Sequence, residues 1–273
     1  MERQARVRNG ARLLIPCLWV ASACGGSTEA TQVTFPLFAD SSEIATITTD
    51  LGYEIELQEA RLVVENFQFA IAGEAHDASL WRRLSRPFVG TAWAHPGHFE
   101  GGDVTGELQG HFLVEWLPEG GSTLGKAKLL TGQYKSMNFT FARASEDDDL
   151  DEKDPLLGHT ARLLGIASKD SLSIEFEALI DSPEDRQLIG VPFEEDVGED
   201  TDDRLGFQLD PVDPYEKDTL FDGLDFSALD EDGDGKIMIE EASTEEALID
   251  AYNRLRRTFQ THDHFFVRAK TRK

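Results

Sequence analysis

Cysteine is nearly absent from this chain: there are two, Cys17 and Cys24, in 273 residues. Everything beyond Cys24 is free of thiols, which excludes a disulfide framework, a thiolate metal site and a cysteine nucleophile in the body of the protein. Methionine is scarce as well, at three residues, so the Met-rich tract of a cuprous copper carrier is missing. Basic side chains are few, with 26 Lys and Arg against 52 Asp and Glu and a formal net charge of −26. Such a body is repelled by nucleic acid and by anionic lipid headgroups, whereas divalent cations and basic partners suit it. A well-solvated surface for a salty medium accounts for the acidity equally well. No apolar run reaches the roughly 20 residues needed to cross a bilayer as a helix. Catalytic signatures are lacking too: there is no His-Glu-x-x-His, no Gly-x-Ser-x-Gly and no Gly-rich phosphate loop opening a helix. Gly101-Gly102 and Gly120-Gly121-Ser122 read as hairpin turns, and no two carboxylates stand out as a glycosidase pair. These absences argue for binding rather than catalysis, and the chain is not expected to be an enzyme.

What is present begins with an export signal. Arg3, Arg6, Arg8 and Arg12 form a basic region, and Leu13 to Val20 form a short apolar one. Ala21-Ser22-Ala23-Cys24 follows, and then the polar Gly25-Gly26-Ser27-Thr28. This segment resembles the lipobox of bacterial lipoproteins. The resemblance covers the first two dozen residues and implies that Cys24 is diacylated and becomes the new N-terminus. The same small-x-small residues also satisfy ordinary signal cleavage, which would give a soluble secreted product. Losing the signal removes four Arg and one Glu, leaving the remainder more acidic still.

From Gln32 the pattern has period two, which predicts strands. Tyr53, Ile55 and Leu57 alternate with Glu54 and Glu56. Leu172, Ile174, Phe176, Ala178 and Ile180 alternate with Ser173, Glu175 and Glu177. The stretch Val104 to Leu117 and the run Met137, Phe139, Phe141 behave likewise. Further strand-like runs are Val33 to Phe38, Leu62 to Ile71, Gly125 to Leu130, His159 to Ala167 and Gln187 to Phe193. One apolar and one polar face is the mark of antiparallel sheets packed on one side, so the expected fold is mainly β, an antiparallel β-sandwich or open barrel. Two dense acidic runs, Glu146 to Asp154 and Glu194 to Asp203, read as exposed loops.

Near Pro214 the pattern changes. Asp218 to Leu229 predicts a short helix with Phe221, Leu224, Phe226 and Leu229 on its apolar side. The following twelve residues, Asp230-Glu231-Asp232-Gly233-Asp234-Gly235-Lys236-Ile237-Met238-Ile239-Glu240-Glu241, place carboxylates at positions one, three, five and twelve and glycine at six. This spacing resembles the EF-hand calcium loop, which supplies many oxygens in a flexible cage to a hard cation. The resemblance implies side-chain ligands from Asp230, Asp232 and Asp234, the backbone carbonyl of Lys236, a water at Met238 and two oxygens from Glu241. One such loop is present and no second, so a structural ion fits better than a paired sensor. Ser243-Thr244-Glu245-Glu246 has the form of a capping box, and a helix to about Thr258 should follow, with Leu248, Tyr252, Leu255 and Phe259 on one stripe. The exit helix therefore starts after the loop, where a standard hand starts it within.

Seven histidines complete the candidates. His95 and His98 lie on an expected turn, and His262 and His264 on an expected final strand, where a spacing of two sets both rings on one face. Should the two pairs meet at one rim of the fold, their nitrogens suit zinc or cupric copper. His111 is a further candidate ligand, and Asp263 or Asp103 a candidate partner orienting a ring. His76 and His159 stand alone and read as packing or surface residues. The organisation expected is a signal peptide over 1–23, a lipidated tether over 24–31, a β-sandwich over 32–213, a helical calcium-loop insertion over 214–260, and the last strand and tail over 261–273. The expected function is that of an exported, lipid-anchored protein of the periplasm or cell surface that binds metal ions: calcium in the loop, with a histidine site for zinc or copper. The alternative is a calcium-stabilised surface module that binds a protein or a glycan. On the lipobox reading, Cys24→Ser turns a membrane-associated protein into a soluble or unprocessed one. Partition of the wild type into the aqueous phase of a detergent separation would remove the anchor.

Overall fold

The computed structural model describes residues 30–71, 103–117, 121–183, 185–199 and 203–271. The lipobox with Cys24, and His76, His95 and His98, lie outside them. Period-two sequence becomes strand nearly throughout. The elements are β1 (Gln32–Asp40), β2 (Ile47–Thr48), β3 (Glu54–Ile71), β4 (Val104–Glu115), β5 (Thr123–Leu130), β6 (Gly132–Phe141), β7 (Ala161–Lys169), β8 (Leu172–Ile180), β9 (Gln187–Val197), β10 (Asp203–Leu209), α1 (Phe226–Leu229), β11 (Lys236–Ile239), α2 (Glu246–Phe259) and β12 (Phe265–Thr271).

Hydrogen-bond ladders join these twelve strands into one sheet and do not divide it into the two sheets of a sandwich. Nor is the sheet purely antiparallel: β1 runs parallel to β10, and β11 parallel to β8. The strand β3 explains the layout. The two runs that the sequence separates, Tyr53 to Leu57 and Leu62 to Ile71, are one strand of 18 residues. One edge pairs with β4. The other is shared in series, by β7 over Glu54–Leu62 and by β6 over Val64–Ile71. Beyond β7 come β8 and β11. Beyond β4 come β5, β1, β10 and β12, and beyond β6 comes β9. The outer strand β12 returns beside β9, where the Ala269 amide donates to Glu195 Oε1 at 3.1 Å.

The strand β10 was not among the expected runs. It lies between β1 and β12, and its alternating Leu205, Phe207 and Leu209 are fully buried. Phe207 meets Phe67 at 5.4 Å, Trp116 at 5.5 Å, Phe139 at 5.5 Å and Phe265 at 5.8 Å between ring centres. Its carbonyl also accepts the Trp116 indole N–H at 2.9 Å. Gly121 marks a close approach of the chain to β1: a Cβ there would lie 1.7 Å from the Ala39 carbonyl oxygen, at φ +68°.

The acidic runs are only partly loops. β9 extends through Glu194–Asp196 to Val197. In the first run a 3-10 turn spans Glu146–Asp148, and Asp154 binds the buried Arg61 guanidinium with both oxygens, at 2.7 and 2.9 Å. Arg61 holds the Asp154 carboxyl below its ordinary pKa. A second arginine, Arg162, spans Glu59 and Glu177 across the same sheet face.

The helical part departs from expectation at both ends. Of Asp218 to Leu229 only Phe226–Leu229 is α-helical. Gly223 adopts φ +73° and its amide donates to Asp50 Oδ1 at 2.7 Å, so turns replace the first helical turns. The apolar residues are nonetheless buried as expected, with Phe221 and Phe226 fully so. α2 begins at Glu246, two residues after the start that a cap at Ser243 implies, and Glu245 caps it without a side-chain bond, so the capping box does not form. Its inner stripe is Ala251, Tyr252, Leu255 and Phe259, with Leu248 partly buried. The final strand, β12, pairs antiparallel with β10.

Phe207→Ala deletes the ring that four other aromatics share. Such deletions in packed cores cost about 3–5 kcal/mol, and urea unfolding should show a lower midpoint with unchanged slope. A shift within error of wild type would show that the cluster is not the centre of the core.

Candidate metal centre

The loop Asp230–Glu241 is fixed at its entrance before any ion is considered. α1 packs Phe226 against Tyr53 and Phe176, at 5.3 and 5.2 Å between ring centres. The Tyr53 hydroxyl donates to Asp225 Oδ1 at 2.6 Å and accepts the Ser227 amide at 2.9 Å. Burial, followed by the Asp225 bond, raises the pKa of that phenol. After α1 the chain reverses through Gly233 at φ +70° and Gly235 at φ +78°, conformations that favour glycine.

This reversal brings Asp230, Asp232 and Asp234 together. One oxygen from each carboxylate lies within 4.8 Å of the others. Asp230 is half-buried and the other two exposed. Each carboxylate is also aimed by the backbone: Asp230 Oδ2 accepts the Gly235 amide at 3.1 Å, Asp232 Oδ1 the Asp234 amide at 3.2 Å, and Asp234 Oδ1 the Lys236 amide at 2.8 Å. Three like charges so close repel by about 1 kcal/mol per pair in water, and more with less solvent. A cation turns that repulsion into attraction, so the group could hold a metal ion.

In the second half of the loop, Lys236 opens β11, which lies along β8 in the register Ile237↔Phe176 and Ile239↔Ala178. Ile237 and Ile239 are buried against the helical part, and Met238 faces out. The Glu175 amide donates to the Gly235 carbonyl at 2.9 Å. Because β11 stays extended to Ile239, the chain has not begun a helix when it reaches Glu241. Glu240 turns back onto Ser243, and α2 starts at Glu246. Glu241 accordingly stands outside the three-carboxylate group. Its charge instead adds to that of Asp181 around Tyr252, whose phenol is raised mainly by burial.

A second acidic group escaped the sequence reading. Asp213, Glu216 and Asp218 bring one oxygen each to within 4.8 Å of one another, and they too could hold a metal ion. Asp213 is buried, its Oδ1 accepts the Tyr215 amide at 2.7 Å, and its own amide donates to the Asp218 carbonyl at 2.9 Å. The available signal was three acids around Pro214 at offsets of three and five residues, a spacing that belongs to no familiar ligand pattern.

The histidines are placed differently from expectation. His262 and His264 lie in a turn before β12 and not on a strand, so the same-face argument does not apply to them. The residue that matters for the turn is Phe265, whose amide donates back to the His262 carbonyl at 3.2 Å. The His264 ring is buried with Nδ1 at 3.0 Å from the Asp210 carbonyl, the geometry of an N–H donor. His111 sits in β4 with its nitrogens facing two carboxylates, Glu65 at 3.2 Å and Asp148 at 3.0 Å. His159 pairs with Asp181 at 3.2 Å. Among the described residues no histidine joins a group able to hold a metal.

Compared with protein-family models, curated proteins and solved structures, the chain matches none. The site therefore rests on its own geometry.

Proposed function

We propose that this is an exported, lipid-anchored binding protein whose loop Asp230–Glu241 holds a structural calcium ion. The observation that carries the proposal is the convergence of Asp230, Asp232 and Asp234 on one point, at the spacing of the EF-hand calcium loop. All donors are oxygens on a loop with two glycines, which suits a large hard cation better than a tetrahedral transition metal. Export and the anchor at Cys24 rest on the N-terminal residues. Among the described residues no helix is long and apolar enough to cross a membrane. The return of β12 to β9 favours the open-barrel form of the expected fold.

An ion that binds only the native state stabilises it by mass action, by about 3 kcal/mol at a hundredfold excess over its dissociation constant. The melting temperature should therefore rise in calcium and fall in chelator. Asp230→Asn with Asp232→Asn should abolish the difference. Glu241→Ala should weaken it, since the resemblance makes Glu241 the closing ligand and its backbone lies only two residues beyond β11. Equal melting temperatures with calcium and with chelator would end the structural-ion proposal.

The zinc or copper proposal is separable. A site joining His95 and His98 to His262 and His264 would use Nε2 of His264, because Nδ1 is engaged by the Asp210 carbonyl. Either double replacement should then remove the same metal equivalent from desalted protein. Binding should also fade below about pH 6.5, where free imidazole takes a proton, while calcium persists. A wild type that retains no zinc or copper leaves the calcium-stabilised surface module as the function.

A further inference from the structure

The loop and the sheet share a residue. The Gly235 amide donates to Asp230 Oδ2 at 3.1 Å, and its carbonyl accepts the Glu175 amide of β8 at 2.9 Å. The next residue, Lys236, gives its amide to Asp234 Oδ1 at 2.8 Å and begins β11. Two carboxylates of the proposed ion site thus set the position of the first rung of the β11–β8 ladder. Among the described residues, β11 is also the sole strand on that edge of β8.

We propose that the cation acts as a latch: its occupancy of the Asp230, Asp232 and Asp234 group decides whether β11 covers the edge of β8. This rests on the calcium reading above. Without a cation, three converging carboxylates favour a wider loop. Widening moves Asp230 and Asp234, and with them the amides of Gly235 and Lys236 that they hold, so the Gly235–Glu175 bond opens first. The far end of β11 is held independently by Ile237 and Ile239, which are 5 % and 0 % exposed. Opening is therefore graded from the loop end, and what it uncovers is backbone that can pair with another extended segment.

The strand β8 carries its own control. Alternate amides of a strand point to opposite edges. The Glu175 and Glu177 amides face β11, and the Phe176 and Ala178 amides face β7, with which β8 pairs over its whole length. Residue-resolved hydrogen exchange on the full chain should show Glu175 exchanging about tenfold or more faster in chelator than in calcium. Glu177 should change less, and Phe176 and Ala178 by less than about twofold. Asp232→Asn removes one charge without removing a bond to Gly235 or Lys236, and it should make Glu175 exchange independent of calcium. Unchanged Glu175 exchange, while a calcium titration still reports binding, overturns the latch and leaves the calcium reading intact. An equal acceleration of all four amides also overturns it, since that is a general loss of stability. Absence of any calcium binding overturns both.

Discussion

The single strand β3 is the constraint on which the rest of the structure depends. A strand has two hydrogen-bonding edges, and each must be satisfied along its buried length. At 18 residues, β3 spans on the order of 60 Å, longer than any partner, so one edge is shared by β7 and then β6. The register shifts at Leu57/Glu59 on that edge, and Asn66 adopts φ +54° within the span that pairs with β4 and β6. Such irregularities bend a strand, and here they flank the point between Leu62 and Val64 at which the edge passes from β7 to β6. The aromatic core around Phe207 joins β10 and β12 to Phe67 of β3 and Phe139 of β6, while β8 and β11 receive the helical part on the β7 side.

This arrangement places the loop Asp230–Glu241. β7 and β8 present Ala161, Leu163, Ile174, Phe176 and Ala178 as an apolar face, and the segment around α1 covers it through Phe221, edge-on to Phe176, and Phe226, tilted against it. The loop is held from both ends by that packing, with Tyr53 and Asp225 at the entrance and β11 at the exit. The edge of β8 supplies the loop with its backbone pairing. With β11 extended to Ile239, the chain reaches Glu241 before α2 begins, and Glu241 is not among the three gathered carboxylates.

The acidity of the chain is handled in two ways. Most carboxylates are left in water. A few are drawn inward and neutralised by arginines, as in the line Asp154–Arg61–Glu59–Arg162–Glu177 over one face of the sheet. Removing one member of such a line would leave its neighbour partly desolvated and unpaired, which costs more than the pair itself contributes. An apparently solvated acidic run thereby becomes part of the frame through Asp154.

Period-two hydrophobicity was enough to determine a mainly β protein, because alternating side chains report which backbone face is packed whatever the strand order. The spacing of Asp230, Asp232, Asp234 and Gly235 was likewise enough to mark a loop that gathers carboxylates, since that geometry is local. The stripe of α2 was legible for the same reason. Tertiary structure alone decided the parallel pairings, the fusion of two runs into β3 and the central place of β10, because strand order depends on contacts far apart in the chain. It alone shortened the helix before the loop, where Asp50 claims the Gly223 amide that a helix would have used. It also set Glu241 apart from the aspartates, brought Asp213, Glu216 and Asp218 together, and buried His264 against Asp210. Each of these turns on which distant group reaches a backbone or a side chain first, and one-dimensional spacing does not carry that information.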